Sequence, residues 1–298
     1  MRISVCRRDY WSDMRYLYLF AKIKSSLVNV LLVHLTFSLC IILILTVLCS
    51  CSEGWLVSGP KRQLVSHDEH TIKVVYPLQV HISIDFGNIE LYAWDKDEIK
   101  LETSAKLRGT GSEDKLKEGF KDFDLLINEG DSGIEIKSIY TGSVKSPADR
   151  SFDVKIYMPR TFVTLDLQLD TGKIKFFDDI KCDLTVQVNM ANIDINRIEG
   201  TMEVEGDMCD LRVCHGELRS GSSVKVNFGH IRVKAKLDEA GTYNFETGTG
   251  NIELSLPEET KIDLDAFGTT DVKDFEIADD GIRIRAHTGM GNVSLNKY

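Results

Sequence analysis

The sequence predicts an all-β protein, built as a right-handed β-helix or solenoid-like stack of short strands, with one short helix in its N-terminal part. Apolar and polar residues alternate with a period of two from Ile72 onward, which is typical of strands with one buried face. Glycine-containing corners recur about every 18 to 23 residues, the scale of solenoid repeats. The chain has 22 glycines but only 5 prolines, which suits many tight turns. An antiparallel β-sandwich is the alternative, because alternating strands with glycine turns also fit that fold.

The clearest copy of the repeat is the stretch from Tyr243 to Leu256. Tyr243 and Phe245 alternate with polar residues, a glycine-rich corner follows, and Ile252 and Leu254 begin a second alternating strand. One such unit cannot bury its apolar face alone, so we expect the units to stack. The predicted structural corners are Gly87, Gly172, Gly229, Gly250, Gly268 and Gly291.

Two details of the corners carry further expectations. Ala191 and Cys209 stand where glycine is expected, so the corners in those two coils are predicted to be distorted. An asparagine follows several corners, and a stacked hydrogen-bonded ladder of side-chain amides is a hypothesis for these residues. They are Asn88, Asn192, Asn251 and Asn292.

Residues 1–51 are predicted to be a signal peptide or membrane anchor. Basic residues precede the apolar stretch from Leu27 to Leu48, which is the order found in secretory signals. The following Leu48-Cys49-Ser50-Cys51 resembles a bacterial lipobox and makes Cys51 the candidate for lipidation. An uncleaved anchor is the alternative, since about 20 apolar residues span a bilayer. Both place the body outside the cytoplasm, because the positive charges precede the apolar segment.

The rest of the chain divides into a tether and one domain. Residues 52–71 lack periodicity and are predicted to be a solvated tether. Residues 72–298 form the predicted solenoid domain, in which 72–160 are less regular and 161–298 carry the regular repeats. A helix is predicted over 112–123 and is expected to cover one end of the stack. The chain ends at Tyr298 directly after the last repeat, which predicts an exposed or partner-covered C-terminal edge.

The net charge of -10 limits the partners. An acidic body argues against nucleic acid, whose binding needs phosphate-neutralising lysine and arginine. Anionic headgroups would also repel it, so contact with a membrane is expected only through the N-terminal anchor or a lipid.

The sequence offers no catalytic, cofactor-binding or metal-binding constellation. Gly248-Thr249-Gly250 lies between two strands and lacks the lysine of a phosphate-binding loop. The aspartates scatter over strands and turns. Cys182, Cys209 and Cys214 are expected to be small buried side chains, and a disulfide among them is left open.

Several segments carry a resemblance to a known family. These are Val154 to Pro159, the recurring Gly-Asn-Ile and Gly-Lys-Ile corners, and Leu254 to Pro257 followed by Ile262-Asp263-Leu264. They resemble the bacterial "putative adhesin" family, which is similar in style to head-GIN domains, over roughly Val74 to Leu295. The resemblance implies an exported β-solenoid domain.

The expected function is a non-enzymatic binding scaffold of the cell envelope or cell surface. It would be anchored at the outer face of the cytoplasmic membrane or at the cell surface, and its ligand would be a glycan, a cell-wall component or a protein. No cofactor is expected. A carbohydrate-active β-helix enzyme and an envelope-sensing module of a signalling system are the alternatives. A concave face that gathers two carboxylates with a lysine or arginine would favour the enzyme.

Overall fold

The computed structural model describes residues 61–110, 112–130, 133–143 and 149–298. Residues 60–298 form one compact unit. The predicted signal segment and Cys51 lie outside the described residues. No helix in the described part of the chain has the length and apolar character needed to cross a bilayer.

The described residues form an all-β protein with one short helix, as predicted. The elements, in chain order, are β1 (Arg62–Lys73), β2 (Gln79–Trp94), β3 (Glu98–Gly109), α1 (Glu113–Gly119) with a 3₁₀ turn (Phe120–Asp122), β4 (Phe123–Gly130), β5 (Gly133–Tyr140), β6 (Arg150–Pro159), β7 (Thr161–Gly200), β8 (Met202–Leu218), β9 (Ser223–Phe228), β10 (Ile231–Leu237), β11 (Thr242–Thr249), β12 (Ile252–Leu256), β13 (Lys261–Val272), β14 (Glu276–Ile277) and β15 (Ile282–Lys297).

The strands from β7 to β15 pair in parallel, with corresponding residues of successive repeats side by side. Val204 of β8 pairs with Val224 of β9, and Val224 pairs with Phe245 of β11. Residues linked between neighbouring strands are about 20 positions apart in the chain, as in the hydrogen bond between His230 and Asp210, except that β15 pairs with β11 and β12 at an offset of 41. The alternating pattern therefore repeats in register, and all the inward residues belong to one hydrophobic core.

The paired strands form two layers that meet at the corners. In the first layer the first half of β8 pairs with β9, and in the second layer its second half pairs with β10. Similarly, β15 pairs first with β11 and then with β12. Because β8 and β15 bend through their corners and contribute to both layers, six parallel strands close on themselves in the order β8, β10, β12, β15, β11, β9.

The less regular N-terminal part extends both layers. In one layer β2 is followed by β5 and the antiparallel β4, and in the other it is followed by β6 and the antiparallel β3 and β1. Helix α1 begins after Ser112, whose hydroxyl accepts a hydrogen bond from the backbone N–H of Lys115 at 3.4 Å. It buries Leu116 and contacts β1 and β3, while Phe123 of the predicted helix belongs to β4.

The predicted tether is wrong for its second half. Residues Arg62–Lys73 form β1, which pairs antiparallel with β3 over its whole length. Within β1 only Ile72 is buried, and most other side chains are exposed. A strand with both faces mostly in solvent has no apolar alternation, so its sequence looks like a linker.

The predicted C-terminal edge is also wrong. Strand β15, which ends the chain, lies between β11 and β12 on one side and β13 on the other. Strand β13 precedes β15 in the chain, but β13 lies at the outside of the sheet and β15 lies between it and the inner strands. Sequence spacing reveals that a repeat exists, but the spatial order of the strands differs from their chain order at this end.

Candidate functional site

The six predicted corner glycines all have positive φ, between 124° and 153°. Gly87 pairs with Gly172, and the corners at Gly229, Gly250 and Gly291 stack on one another in successive coils. A Cβ atom at Gly250 would stand 1.9 Å from the carbonyl oxygen of Gly229. Glycine is therefore required there by both the backbone conformation and the close approach of the next strand, so the corners have a structural role.

Ala191 and Cys209 pair with each other in the same corner column, and the register continues on both sides of them. Neither has positive φ. Both side chains are buried. A Cβ atom at Gly206 would lie 2.7 Å from the Cβ atom of Cys209, so the missing side chain of Gly206 leaves the space that the cysteine fills.

Residues after the corners form a hydrogen-bonded ladder, but it is not made only of asparagines. The backbone N–H of Asn292 donates to the side-chain oxygen of Asn251 at 3.0 Å, and that of Asn251 donates to Nδ1 of His230 at 3.0 Å. The N–H of His230 donates to Asp210 at 2.8 Å. What the ladder needs is a side-chain acceptor, which an aspartate or a neutral histidine also supplies.

The candidate ligand-binding site is a concave face on the outside of the first layer, which we call the polar face. It lies beside a cavity of about 570 Å³. Its central residues are Gln168, Asp170, Gln187, Asn189, Glu205, Asp207, Lys225 and Asn227. Alternation explains its origin, since these residues face outward between the buried residues of β7, β8 and β9.

Acid–amide pairs run across the polar face. The side-chain amide of Asn189 donates to Asp170, and that of Asn227 donates to Asp207. Each pair uses one N–H of the amide and one carboxylate oxygen, so further donors and acceptors remain for a ligand. Behind them, Gln187 pairs with Glu205 and Glu205 with Lys225 along the sheet.

An exposed apolar row borders the polar face at the corners. Met190 pairs with Met208, and Met208 pairs with Phe228. Each directly follows a residue of the polar face, and Phe228 is 59% exposed. A regular row of exposed methionine and aromatic side chains beside hydrogen-bonding groups is typical of a binding surface.

A second, smaller polar cluster lies nearer the N-terminal end of the first layer. Nδ1 of His81 lies 2.8 Å from a carboxylate oxygen of Asp166, beside a cavity of about 390 Å³ that Glu135 also lines. The other carboxylate oxygen of Asp166 is buried without a hydrogen bond. Asp166 can orient the ring of His81, and Thr164 is the one residue with a hydroxyl group among those that line this cavity.

The remaining candidates have structural surroundings. Cys182, Cys209 and Cys214 are free thiols. Burial raises the pKa of Cys182 and of Cys209 to about 12, which keeps both protonated. The part of the chain that the structure describes contains no group of three or more histidine, cysteine or acidic side chains placed to hold a metal ion.

The polar face is not predicted by the sequence patterns. On the sequence alone, Asp170 and Asp207 are only two of many scattered acids, and Asn189, Asn227 and Lys225 do not stand out. A sequence signal exists, because outward residues just before successive corners alternate between acid and amide. That signal becomes readable only when the register of the strands is known.

No family model matches the chain, and no curated protein matches it. Several solved structures do match the chain. A "putative cell adhesion protein" from Clostridium sporogenes is 11% identical, with a TM-score of 0.34, over 78% of this chain and 100% of that one. A "putative adhesin" from Bacteroides fragilis is 12% identical, with a TM-score of 0.33, over 78% of this chain and 97% of that one. A "putative adhesin" from Parabacteroides merdae is 10% identical, with a TM-score of 0.30, over 78% of this chain and 96% of that one. The chain is similar to these proteins, but identities and TM-scores of this size identify neither a ligand nor an activity.

Proposed function

We propose that this chain is an exported, membrane-tethered binding scaffold that holds an extended glycan along its polar face. The observation that carries the proposal is the regular acid–amide row of Asp170, Asn189, Asp207 and Asn227 beside an exposed apolar row. Carboxylates and amides form hydrogen bonds with hydroxyl groups, and apolar side chains pack against the C–H faces of sugars. The neighbouring strands are about 4.8 Å apart, so a polymer lying across them meets the same groups repeatedly.

The solenoid architecture belongs to this proposal. In-register parallel pairing at an offset of about 20 residues supports a stack of coils rather than a sandwich of antiparallel strands. Stacking places equivalent outward residues in straight rows, and a row of identical chemistry suits a repetitive ligand.

The anchor is proposed from the sequence. If Cys51 is lipidated, the full-length chain should mature to a shorter, lipid-modified form. Globomycin should block that step, and Cys51→Ser should produce the unprocessed precursor without the drug. A chain that keeps its precursor size without inhibitor, and carries no lipid, would contradict lipidation and favour the uncleaved anchor.

Binding is tested with the full-length chain reconstituted in nanodiscs and screened against defined glycans and cell-wall polymers. The variant Asn189→Ala/Asn227→Ala removes two donors from exposed positions. It should weaken binding of the captured polymer about tenfold or more, since each lost hydrogen bond is worth about 1 kcal/mol.

The chain offers a matched control for this variant. The side-chain amide of Asn196 donates to Asp179 at 3.3 Å, an acid–amide pair away from the polar face. Asn196→Ala should leave binding unchanged. Equal binding by all three proteins, or no captured polymer, would refute the proposal.

A carbohydrate-active enzyme is the second candidate, and one observation favours it. The polar face gathers the carboxylates Asp170, Glu205 and Asp207 with Lys225. Paired carboxylates are the usual catalytic groups of glycoside hydrolysis. Release of shorter products from the bound polymer, lost in Glu205→Gln or Asp207→Asn, would establish this function instead.

A further inference from the structure

Strand β13 has a free side. Ile262 to Phe267 pair with β15 before the corner at Gly268, and Thr269 to Val272 pair with it after the corner, where the register shifts. On its other side only Lys261 and Ile262 are paired, with Glu276 and Ile277 of β14. From Asp263 to Val272 no strand among the described residues pairs with that side. Backbone N–H and C=O groups on such an edge are a template for one more strand.

The hydrophobic interior is also open along this edge. Leu264 and Ala266 are only partly buried, although their partners Ile284 and Ala286 in β15 are 0% exposed. Phe267, on the same strand, is 62% exposed. A strand added beside β13 would complete the burial that each inner strand receives from its two neighbours.

The same end of the molecule is strongly acidic. Between positions 258 and 280 there are nine acidic residues and two lysines. They are Glu258, Glu259, Asp263, Asp265, Asp271, Asp274, Glu276, Asp279 and Asp280, with Lys261 and Lys273. Three of these acids have partners: Glu276 pairs with Lys261 at 2.7 Å, Asp263 with Arg283 at 3.1 Å, and Asp265 lies 3.1 Å from His287. In the described part of the chain, Asp271 and Asp274 have no ion-pair partner.

These charges determine which kind of segment can bind at the edge of β13. A second copy meeting this edge with its own acidic end would be repelled, whereas a cationic segment is attracted. The edge strand β1 at the N-terminal end differs from β13, because Ile72 is its one buried residue and it carries no partly buried apolar row.

We propose that the free edge of β13 binds an extended, cationic peptide segment of a partner protein by β-strand addition. Backbone hydrogen bonds to Asp263–Phe267, the part of β13 before its corner, supply the attachment, and alternate side chains of the peptide cover Leu264 and Ala266. Lysine or arginine residues on its other face meet the acidic end. This site is separate from the polar face and does not depend on the glycan proposal.

The test uses the full-length chain in nanodiscs and three synthetic peptides of about ten residues, a sufficient strand length. The first alternates lysine and valine, the second alternates glutamate and valine, and the third is the first with alternate backbone nitrogens methylated. Fluorescence anisotropy should show the lysine–valine peptide binding at least about tenfold more tightly than either of the others. Equal binding of the methylated peptide would overturn the proposal, because charge alone would then explain it.

Two further measurements locate the site. Hydrogen exchange should slow at the amides of Asp263–Phe267 that point away from β15 when the lysine–valine peptide binds, with no change in Ile252–Leu256. Asp271→Lys/Asp274→Lys should weaken that binding, whereas Asn189→Ala/Asn227→Ala should not. Protection elsewhere, or dimerisation of the free chain through this edge in sedimentation experiments, would refute the proposal.

Discussion

The hydroxyl group of Thr288 donates a hydrogen bond to the carbonyl oxygen of Gly250, at 2.8 Å, from one strand of the stack to the corner of its neighbour. The same relationship occurs one repeat earlier, where Thr247 donates to the carbonyl oxygen of Gly229 at 3.0 Å. Both threonines are buried and face inward. The close approach that makes glycine necessary at the corners is thus held by a buried polar contact as well as by packing.

Thr288→Val should lower the free energy of unfolding by about 1 kcal/mol, and by up to about 3 kcal/mol if the Gly250 carbonyl is left unsatisfied. The substitution keeps the shape of the side chain and removes only the donor. Urea denaturation of the full-length chain measures the change. Thr242→Val, on an exposed position of β11, is the control and should stay within about 0.5 kcal/mol of the natural protein. Equal stability of both variants would contradict the role of the hydrogen bond.

Tyr243 is a fully buried residue with a satisfied hydroxyl group. Its O–H donates to the carbonyl oxygen of Leu218 at 2.9 Å and accepts from the N–H of Asp238 at 2.7 Å. Burial raises the pKa of Tyr243 to about 12. Tyr243→Phe should cost about 1 kcal/mol of stability, because two hydrogen bonds are lost while the N–H of Asp238 still donates to the carbonyl oxygen of Leu218 at 3.3 Å.

The matched comparison for this variant is Phe245→Tyr, at the neighbouring inward position of the same strand. Adding a hydroxyl there should also destabilise, because it buries an oxygen without the surroundings found at Tyr243. If Tyr243→Phe unfolded at the same urea concentration as the natural chain, the hydroxyl would have no structural role.

The thiols provide a test that leaves the sequence unchanged. Because the thiolate is the reactive form, the raised pKa of Cys182 and Cys209 should protect both from iodoacetamide at pH 8. Cys214 is only partly buried and should be modified at least about tenfold faster. Peptide mapping by mass spectrometry separates the three sites. Labelling in urea gives the reference rate for each thiol in the unfolded chain. Rapid modification of Cys182 in the native chain would show that its strand opens.

Alternation and glycine spacing are enough to predict the strands that have one buried face, their inward residues and the corners, but not β1. Tyr243, Phe245, Ile252 and Leu254 are all buried, as the period of two requires. Such patterns are local, and each residue depends only on its neighbours in the chain.

The order of strands could not be predicted in the same way. Strand β13 carries the same inward pattern as the inner strands, with Ile262, Leu264 and Ala266, although it lies at the edge. The outside position of β13 follows from the pairing of β15 with β11, which joins residues 41 positions apart, as in Tyr243 and Ile284. The polar face was missed for a related reason, since its rows join residues of different repeats.

The ladder of acceptors after the corners predicts that stability depends on whether the side chain at position 230 can accept a hydrogen bond. His230→Ala removes the acceptor of the Asn251 N–H and should lower stability by about 0.5–1.5 kcal/mol. His230→Asn restores a side-chain oxygen at this position, as found at Asn251, and should recover most of that loss. Hydrogen exchange at the Asn251 amide should rise in His230→Ala and return in His230→Asn. Similar exchange in both variants would mean that water replaces the ladder.

The corner glycines allow backbone strain and steric contact to be separated. Gly250 has a φ of +147° and faces the carbonyl oxygen of Gly229, whereas Gly221 has a φ of +92° and a Cβ atom added there would meet no other atom within 4 Å. Gly221→Ala should therefore cost only strain, about 1–3 kcal/mol. Gly250→Ala should cost more, because the strand carrying Gly229 must also move. Denaturation curves compare the two, and glycan binding of the folded fraction should be the same in both. A Gly250→Ala chain that kept its stability but lost binding would show that the corner contacts the ligand directly.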